Sequence, residues 1–201
     1  MPIIIALSGA SSSGKTEVLS RLQAELAAQA VNVVVRPSLS RQQMSASTTL
    51  DDRKSPQFQL NLLQAAIDAD AAVIASGADV ILADRTVLDG YLYFKKYGTG
   101  SATEYDTYLT KVRQILSTYA CVVLLPSVCF REDEIRREFD REFSAEFFNS
   151  FISVFPHDVG TELIVMPKIF GIDGLYREVR QRLANYLPLK ENQDAYTHDS
   201  K

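Results

Sequence analysis

The sequence predicts an α/β three-layer sandwich, in which a five-stranded parallel sheet is covered by helices on both faces. Five short runs are apolar without alternation, as is typical of strands buried on both sides: "IIIAL", "VNVVV", "DVILA", "CVVLL" and "ELIVM". Longer amphipathic stretches alternate with these runs and predict helices. With 201 residues, of which 46% are hydrophobic, the chain is long enough to form one well-buried domain.

The predicted strands span residues 3–7, 31–35, 79–83, 121–125 and 162–166. Apolar stripes with helical spacing lie between or after them and predict core-facing helices. Ser55 and Pro56 precede the second stripe and are typical of a helix cap and first turn. The stripes are Val18, Leu19, Leu22 and Leu26; Leu60, Leu63, Ile67, Ala71 and Ile74; Tyr105, Tyr108, Leu109, Val112 and Leu116; and Leu175, Val179, Leu183 and Tyr186.

Composition narrows the class of protein. The formal charge of −4 provides no overall basic field for a polyanion, which disfavours nucleic acid as a partner. Cys121 and Cys129 form no CxxC pair and are expected to be reduced core thiols. No apolar run approaches the roughly 20 residues that span a bilayer, and "MPIIIAL" has no basic segment typical of a signal peptide. We therefore expect a cytoplasmic protein without membrane contact.

The expected domain organisation is simple. Residues 1–187 are predicted to form a single domain, because strand and helix patterns alternate throughout them. Residues 188–201 are polar and unpatterned, and are expected to form a flexible tail.

The segment between the first predicted strand and the first predicted helix has the spacing G-x-x-x-x-G-K-[ST]. Glycine and small residues in this setting turn successive backbone N–H groups toward an anion, and the helix N-terminus adds partial positive charge. The lysine is expected to contact the β- and γ-phosphates of ATP, and the threonine hydroxyl to hold Mg²⁺. The predicted nucleotide-binding residues are Gly9, Ser11, Ser12, Ser13, Gly14, Lys15 and Thr16.

A second motif follows the third predicted strand. Asp84 comes directly after "DVILA", where its carboxylate is expected to face the phosphate loop and to hold the metal together with Thr16. The next residue is Arg85, whereas ATPases that activate water usually place a glutamate there. An arginine suits an anionic substrate or the transferring phosphoryl group. The alternative is that Asp84 and Arg85 form only an ion pair within a turn.

The segments "GASSSGKT", "DRT" and "LDGYLYF" together resemble the P-loop kinases of nucleosides and nucleotides, such as thymidylate and deoxynucleoside kinases. The pattern of Asp84, Arg85, Asp89 and Tyr91 is similar to that of small ATPase domains related to nicotinamide riboside kinases. The resemblance implies a P-loop NTPase fold and phosphoryl transfer from ATP with Mg²⁺. It also implies that Arg85 meets substrate or phosphate and that Tyr91 or Phe94 helps to line the acceptor pocket; ordinary packing of these aromatics is the alternative.

The chain departs from those kinases after the second predicted strand. They commonly carry an acid there, whereas this chain reads "VVVRPSLSRQQM", with Arg36 and Arg41. Two arginines favour an acceptor that already carries negative charge, although a basic surface turn explains them equally well. The general base would then be Asp84 or Asp89, and Asp89 and Tyr91 are counted with the arginines as predicted substrate-binding residues.

A helical lid is expected at about residues 127–155. Phenylalanines at positions 139, 143, 147 and 151 predict a buried helix face, and arginines are interleaved with acids around them. Lids that carry arginine close over the phosphates in many small-molecule kinases. Arg136 and Arg137 are the central candidates for a catalytic role, and a solvated helix face is the alternative.

These observations predict a P-loop phosphotransferase. Its expected cofactors are ATP and Mg²⁺, its acceptor is a small nucleoside- or nucleotide-like molecule, and it is expected to be a monomer or a homodimer. Its predicted catalytic residues are Lys15, Asp84, Arg85, Arg136 and Arg137. Two other functions stay open: a regulatory ATPase that acts on a protein partner, and a kinase that acts on a nucleic acid.

Overall fold

A computed structural model describes residues 1–10, 13–39, 52, 55–126, 137–169 and 171–189, with only the backbone described at 137–145. The described strands form one sheet in the order β2-β3-β1-β4-β5, and every neighbouring pair is parallel. The strands are β1 Ile3–Ser8, β2 Val33–Arg36, β3 Val80–Asp84, β4 Cys121–Leu124 and β5 Glu162–Val165. The predicted five-stranded parallel sheet is confirmed.

Four of the described helices occupy the intervals that the amphipathic stripes predict and a fifth includes the predicted phenylalanine stripe, whereas the helix that follows β3 was not predicted. The helices are α1 Lys15–Ala28, α2 Pro56–Ile74, α3 Val87–Tyr97, α4 Ala102–Leu116, α5 Arg137–Val154 and α6 Ile172–Arg182. The predicted start of α2 is confirmed, because the Ser55 side chain accepts a hydrogen bond from the Phe58 N–H and Pro56 lies in the first turn. Reciprocal capping boxes at Thr86 and Ser101 begin α3 and α4.

Helices cover both faces of the sheet, as a three-layer sandwich requires. On one face, α1 and α6 pack against alternate residues of the strands, such as Ile5, Leu82 and Val123. On the other face, α2 to α5 pack against the intervening residues, such as Ile4 and Ile81. The central strands β1, β3 and β4 are thus buried on both sides, which explains why their sequences show no alternation of apolar and polar residues, whereas the edge strands β2 and β5 are only partly buried.

The stripe predicted for α2 is only partly correct. Leu63 is buried as expected, but Ala71 is exposed, and the buried positions continue through Ala66 to Asp70. These three residues are spaced i, i+3 and i+7, so they share one face of the helix. An aspartate therefore occupies a place in the core, and its partner is described below.

The C-terminal part of the predicted lid is anchored in the core. Phe147 and Phe151 of α5 are buried with Phe155, and this confirms the second half of the predicted phenylalanine stripe. The side chains at 139 and 143, and all of residues 127–136, lie outside the described residues. The prediction that the segment acts as a lid stays a prediction, as does the flexible tail, of which the described part ends at residue 189.

Candidate functional site

The carboxyl ends of β1 and β3 lie side by side and define the site. Leu7 is opposite Asp84 in the sheet register, and the Arg85 N–H donates to the Leu7 carbonyl at 2.9 Å. The loop after β1 leads directly into α1, which begins at Lys15. The glycine-rich loop and the Asp84–Arg85 turn are therefore neighbours at the carboxyl ends of the strands, where parallel α/β folds bind ligands.

Two glycines give the loop its path. Gly9 has a φ of +138°, and a Cβ at this position would lie 2.7 Å from the Leu125 carbonyl oxygen. Gly14 has a φ of +86° and precedes the first residue of α1. Residues with side chains rarely adopt these angles, so the spacing of the two glycines reflects the backbone that the loop requires. Ser13, which precedes Gly14, is buried. Ser11 and Ser12 lie outside the described residues.

The Lys15 ammonium lies against the loop. Its Nζ donates to the carbonyl oxygens of Gly9 at 3.0 Å and Ala10 at 2.6 Å, and to the Ser13 hydroxyl at 3.0 Å. The residue is almost fully buried. The ammonium charge is thus held within the loop, and the first turn of α1, which follows the loop, also favours anions.

Thr16 and Asp84 are brought together across the site. The Thr16 hydroxyl donates to Asp84 Oδ2 at 2.7 Å, and Asp84 is the last residue of β3. A hydroxyl and a carboxylate oxygen are donors that suit Mg²⁺, which usually takes few protein ligands beside water and phosphate oxygens. Elsewhere in the part of the chain that the structure describes, no group of three His, Cys, Asp or Glu side chains is placed to hold a metal ion.

Asp89 is buried inside the turn that follows β3. Its carboxylate accepts hydrogen bonds from the Ser8 hydroxyl at 2.9 Å and from the Thr86 backbone N–H and hydroxyl at 2.8 and 2.7 Å. Arg85 Nη1 lies 3.3 Å from Asp89 Oδ1. The predicted role of Asp89 in substrate binding stays a prediction, and the observed contacts show that it joins the end of β1 to the Asp84–Arg85 turn.

Arg85 has an unusual backbone and a partly exposed side chain. Its φ is +80°, in the left-handed region that non-glycine residues seldom adopt. The guanidinium contacts Asp89, and its carbon lies 5.8 Å from the centre of the Tyr93 ring. Strained residues of this kind are common at functional sites, and this one follows directly after the predicted metal ligand.

The structure does not bring Arg36 to a surface where it would meet an acceptor. Its guanidinium is buried, forms an ion pair with Asp70 and donates from Nη2 to the Arg85 carbonyl at 2.6 Å. The substrate-binding role predicted for Arg36 would require these contacts to break. Arg41 and Arg136 lie outside the described residues, and Arg137 is the first residue of α5, with its side chain outside them.

The aromatic residues of α3 divide into two groups. Tyr91 and Phe94 are buried in the core, and burial raises the pKa of the Tyr91 hydroxyl. Tyr93 was not predicted as a site residue, yet it is the ring that lies beside Arg85, where it also contacts Phe147 at 5.8 Å between ring centres. Tyr93 follows Asp89 by four residues on the same helix, so the sequence indicates that the two side chains lie on one face of it, next to Arg85.

Comparison with known proteins supports the fold. The model of a family described as an AAA domain matches residues 4–169. Two similar solved structures are titled "Crystal structure of NadR protein in complex with NR" and "Crystal structure of NadR protein in complex with NAD and AMP-PNP". They superpose with TM-scores of 0.69 and 0.70, at 17% and 16% identity, over 96% and 97% of this chain.

The similarity covers only part of those solved proteins, because the chain aligns with 52% of each. At the level of fold it confirms the predicted resemblance to small P-loop domains of the nucleoside kinase type. No curated protein matched the sequence. Within the described ranges, no helix has the length and apolar character needed to cross a membrane. Since the family model extends from β1 through the loop and the Asp84–Arg85 turn to β5, the chain belongs to the AAA domain family.

Proposed function

We propose that the protein transfers the γ-phosphoryl group of ATP, with Mg²⁺, to a small acceptor that contains a nucleoside. The observation that carries this proposal is the 2.7 Å contact between Thr16 and Asp84, whose neighbours in the sequence are Lys15 and Arg85. These residues come from the start of α1, from the end of β3 and from the turn that follows β3, and the fold brings them together at the carboxyl ends of the strands.

Each residue has a role in this proposal. Lys15 exchanges its contacts with the loop carbonyls for phosphate oxygens, and the loop backbone at Gly9 and Gly14 contacts the β-phosphate. Thr16 and Asp84 would hold Mg²⁺, which supplies charge neutralisation to the phosphates. Arg85 contributes positive charge beside them, at the position where hydrolytic ATPases usually carry a glutamate.

The acceptor is expected on the side of Arg85 and Tyr93. One structural neighbour holds NR and the other holds NAD with AMP-PNP, and each of these ligands contains a nucleoside. A planar base can stack on a tyrosine ring, and a guanidinium can neutralise a nearby phosphate. Asp89 is already engaged by Ser8, Thr86 and Arg85, so its contacts support a role in orienting Arg85 better than a role as general base. Phosphoryl transfer depends mainly on positioning and charge, and needs no strong base.

The test is ATP turnover with magnesium, measured with and without a panel of acceptors that includes nicotinamide riboside, other nucleosides and nucleoside monophosphates. The proposal predicts turnover that depends on an acceptor, together with a phosphorylated product identified by mass spectrometry. Strong turnover without acceptor would instead indicate a hydrolytic ATPase, and transfer only to oligonucleotides would indicate a nucleic-acid kinase.

Lys15→Ala is the decisive variant. Loss of one preorganised donor to a developing charge typically costs about 100-fold or more in turnover, and the same loss is expected here. Lys111→Ala removes an exposed lysine from α4, remote from the loop, and is the matched control with unchanged activity. Activity retained in Lys15→Ala would refute the assignment.

A further inference from the structure

A buried polar cluster lies close to the candidate site without belonging to it. Arg36 ends β2, Asp70 lies on the core face of α2, and Tyr119 lies just before β4. The Arg36 and Asp70 side chains are each 3% exposed and form an ion pair, and the Tyr119 hydroxyl donates to Asp70 Oδ2 at 2.5 Å. Burial raises the pKa of Tyr119, so its hydroxyl stays protonated and remains a donor.

Stability alone is a weak reason for such a cluster. Two buried charges lose most of their hydration, and well-packed apolar residues of similar size often stabilise a core equally well or better. The adjoining core is apolar: Ala83 lies opposite Arg36 in the sheet register, and Ala66 is buried on the same helix face as Asp70. The cluster is therefore better explained by the group that it holds in position than by its contribution to stability.

One hydrogen bond connects the cluster to the site. Arg36 Nη2 donates to the carbonyl oxygen of Arg85 at 2.6 Å. The N–H of Arg85 donates to the Leu7 carbonyl at 2.9 Å. The peptide group before the Arg85 Cα is therefore fixed by β1, and the one after it is held at its carbonyl by Arg36 and at its N–H by Asp89.

The residue held in this way is strained. Among the described non-glycine residues, only Ala30 and Arg85 have a positive φ, and Ala30 lies in the turn that ends α1. A left-handed residue that is not glycine persists only where the surroundings impose it. In this backbone conformation the Arg85 guanidinium reaches Asp89 and the Tyr93 ring.

We infer that Arg36 is a positioning residue, which holds the carbonyl of Arg85 and thereby directs the Arg85 guanidinium toward the acceptor side of the site. Asp70 completes the device, since its Oδ1 balances and orients the Arg36 charge, whereas the Tyr119 hydroxyl donates to the other carboxylate oxygen of Asp70. The inference rests on the proposed function only in assigning Arg85 to the acceptor side. It replaces direct anion binding by Arg36 with an effect exerted through Arg85.

A tryptophan reporter tests the inference without any enzymatic activity. The sequence contains no tryptophan, so Tyr93→Trp introduces a single indole next to the Arg85 guanidinium. Arg85→Ala in this background gives the emission of the ring without its cation. Arg36→Lys keeps the charge beside Asp70 but lacks the planar fork that reaches Asp70 and the Arg85 carbonyl together.

The inference predicts that Arg36→Lys moves the emission maximum at least half of the way toward the Arg85→Ala value. Tyr119→Phe removes a hydroxyl from the same cluster, leaves the link to Arg85 intact, and is expected to keep the emission of the reporter protein. Unchanged emission in folded Arg36→Lys, or equal shifts in both variants, would overturn the inference. Should Arg36→Lys not fold, the triple change Arg36→Met, Asp70→Leu and Tyr119→Phe makes the cluster apolar and is expected to give the same shift.

Kinetics provides the second readout. In the presence of an accepted substrate, Arg36→Lys is expected to lower kcat about tenfold or more, but to have no further effect in Arg85→Ala, because its effect passes through Arg85. Additive losses would overturn the inference. If the protein transfers phosphate to no acceptor, the proposed function fails, whereas the emission test keeps its outcome.

Discussion

Replacement of Gly9 by alanine is the most direct test of the loop geometry. Gly9 has a φ of +138°, and its missing Cβ would lie 2.7 Å from the Leu125 carbonyl oxygen and 3.3 Å from the Leu125 Cβ. The first contact is shorter than real Cβ contacts. Leu125 has little freedom to retreat, because its own N–H donates to the Ser8 carbonyl at 2.9 Å.

The magnitude follows from two contributions. A residue with a side chain in a sparsely populated backbone region costs about 1–3 kcal/mol. Overpacking against a fixed neighbour costs a further ~1–3 kcal/mol. We therefore expect Gly9→Ala to lose about 2–6 kcal/mol in total, either as stability or, if the loop moves to relieve the contact, as nucleotide affinity. A loss of about 3 kcal/mol taken wholly in binding corresponds to roughly a 100-fold weaker Kd.

The assay combines chemical denaturation with titration of a fluorescent ATP analogue in the presence of magnesium. Gly77→Ala is the matched control, because Gly77 has a φ of +76° but no atom within 4 Å of its missing Cβ, and it lies in the turn before β3. It is expected to cost about 1–2 kcal/mol of stability and to leave nucleotide affinity unchanged. If Gly9→Ala matched Gly77→Ala in both measurements, the close approach of the loop to Leu125 would have no energetic meaning and the reasoning would be wrong.

Two further predictions concern titratable groups. Burial, and then the nearby Glu162 charge, raises the pKa of the Cys121 thiol to about 12, so at pH 8 the native protein should leave Cys121 unmodified by iodoacetamide, and peptide mass spectrometry should show its modification only after denaturation. Burial disfavours the charged form of Glu25, but hydrogen bonds from Arg180 and Tyr176 outweigh it and hold the pKa below its ordinary value of 4.5. Glu25→Gln should therefore cost about 1 kcal/mol of unfolding free energy at neutral pH, and the difference should disappear as the pH falls below the folded-state pKa; a pH-independent difference would contradict this account.

The fold was largely predictable because its signals are local. Apolar runs without alternation predict buried parallel strands, and each of the five runs contains a strand within two residues of the predicted ends. The second strand begins at Val33 rather than Val31 because the Val31 N–H is taken by the Leu26 carbonyl at the end of α1. Such a difference depends on how one helix ends, which periodicity does not reveal.

The site was predictable where backbone and side chain act within one motif. Spacing alone indicated that Lys15 and Thr16 begin a helix after a glycine-rich loop, and the end of a strand indicated where Asp84 emerges. Asp89 was harder to interpret. Its partners are Ser8, which lies 81 residues earlier in the sequence on β1, and Thr86 and Arg85 from the adjoining turn, and together they make it an internal connection of the site.

The two arginines that follow neighbouring strands show what the sequence leaves open. Arg36 and Arg85 have the same chemistry, and each suits an anion when read from the sequence. The strand order distinguishes the roles of the two arginines. β2 is the edge strand next to β3, so Arg36 lies opposite Ala83, and its Nη2 donates to the Arg85 carbonyl at 2.6 Å. The exposed Ala71 and the buried Asp70 then have a single explanation, because α2 must present a carboxylate to the guanidinium that the sheet has buried. Arg36 is therefore paired within the core with a carboxylate of the helix that covers its strand, whereas the Arg85 side chain stays partly exposed at the site.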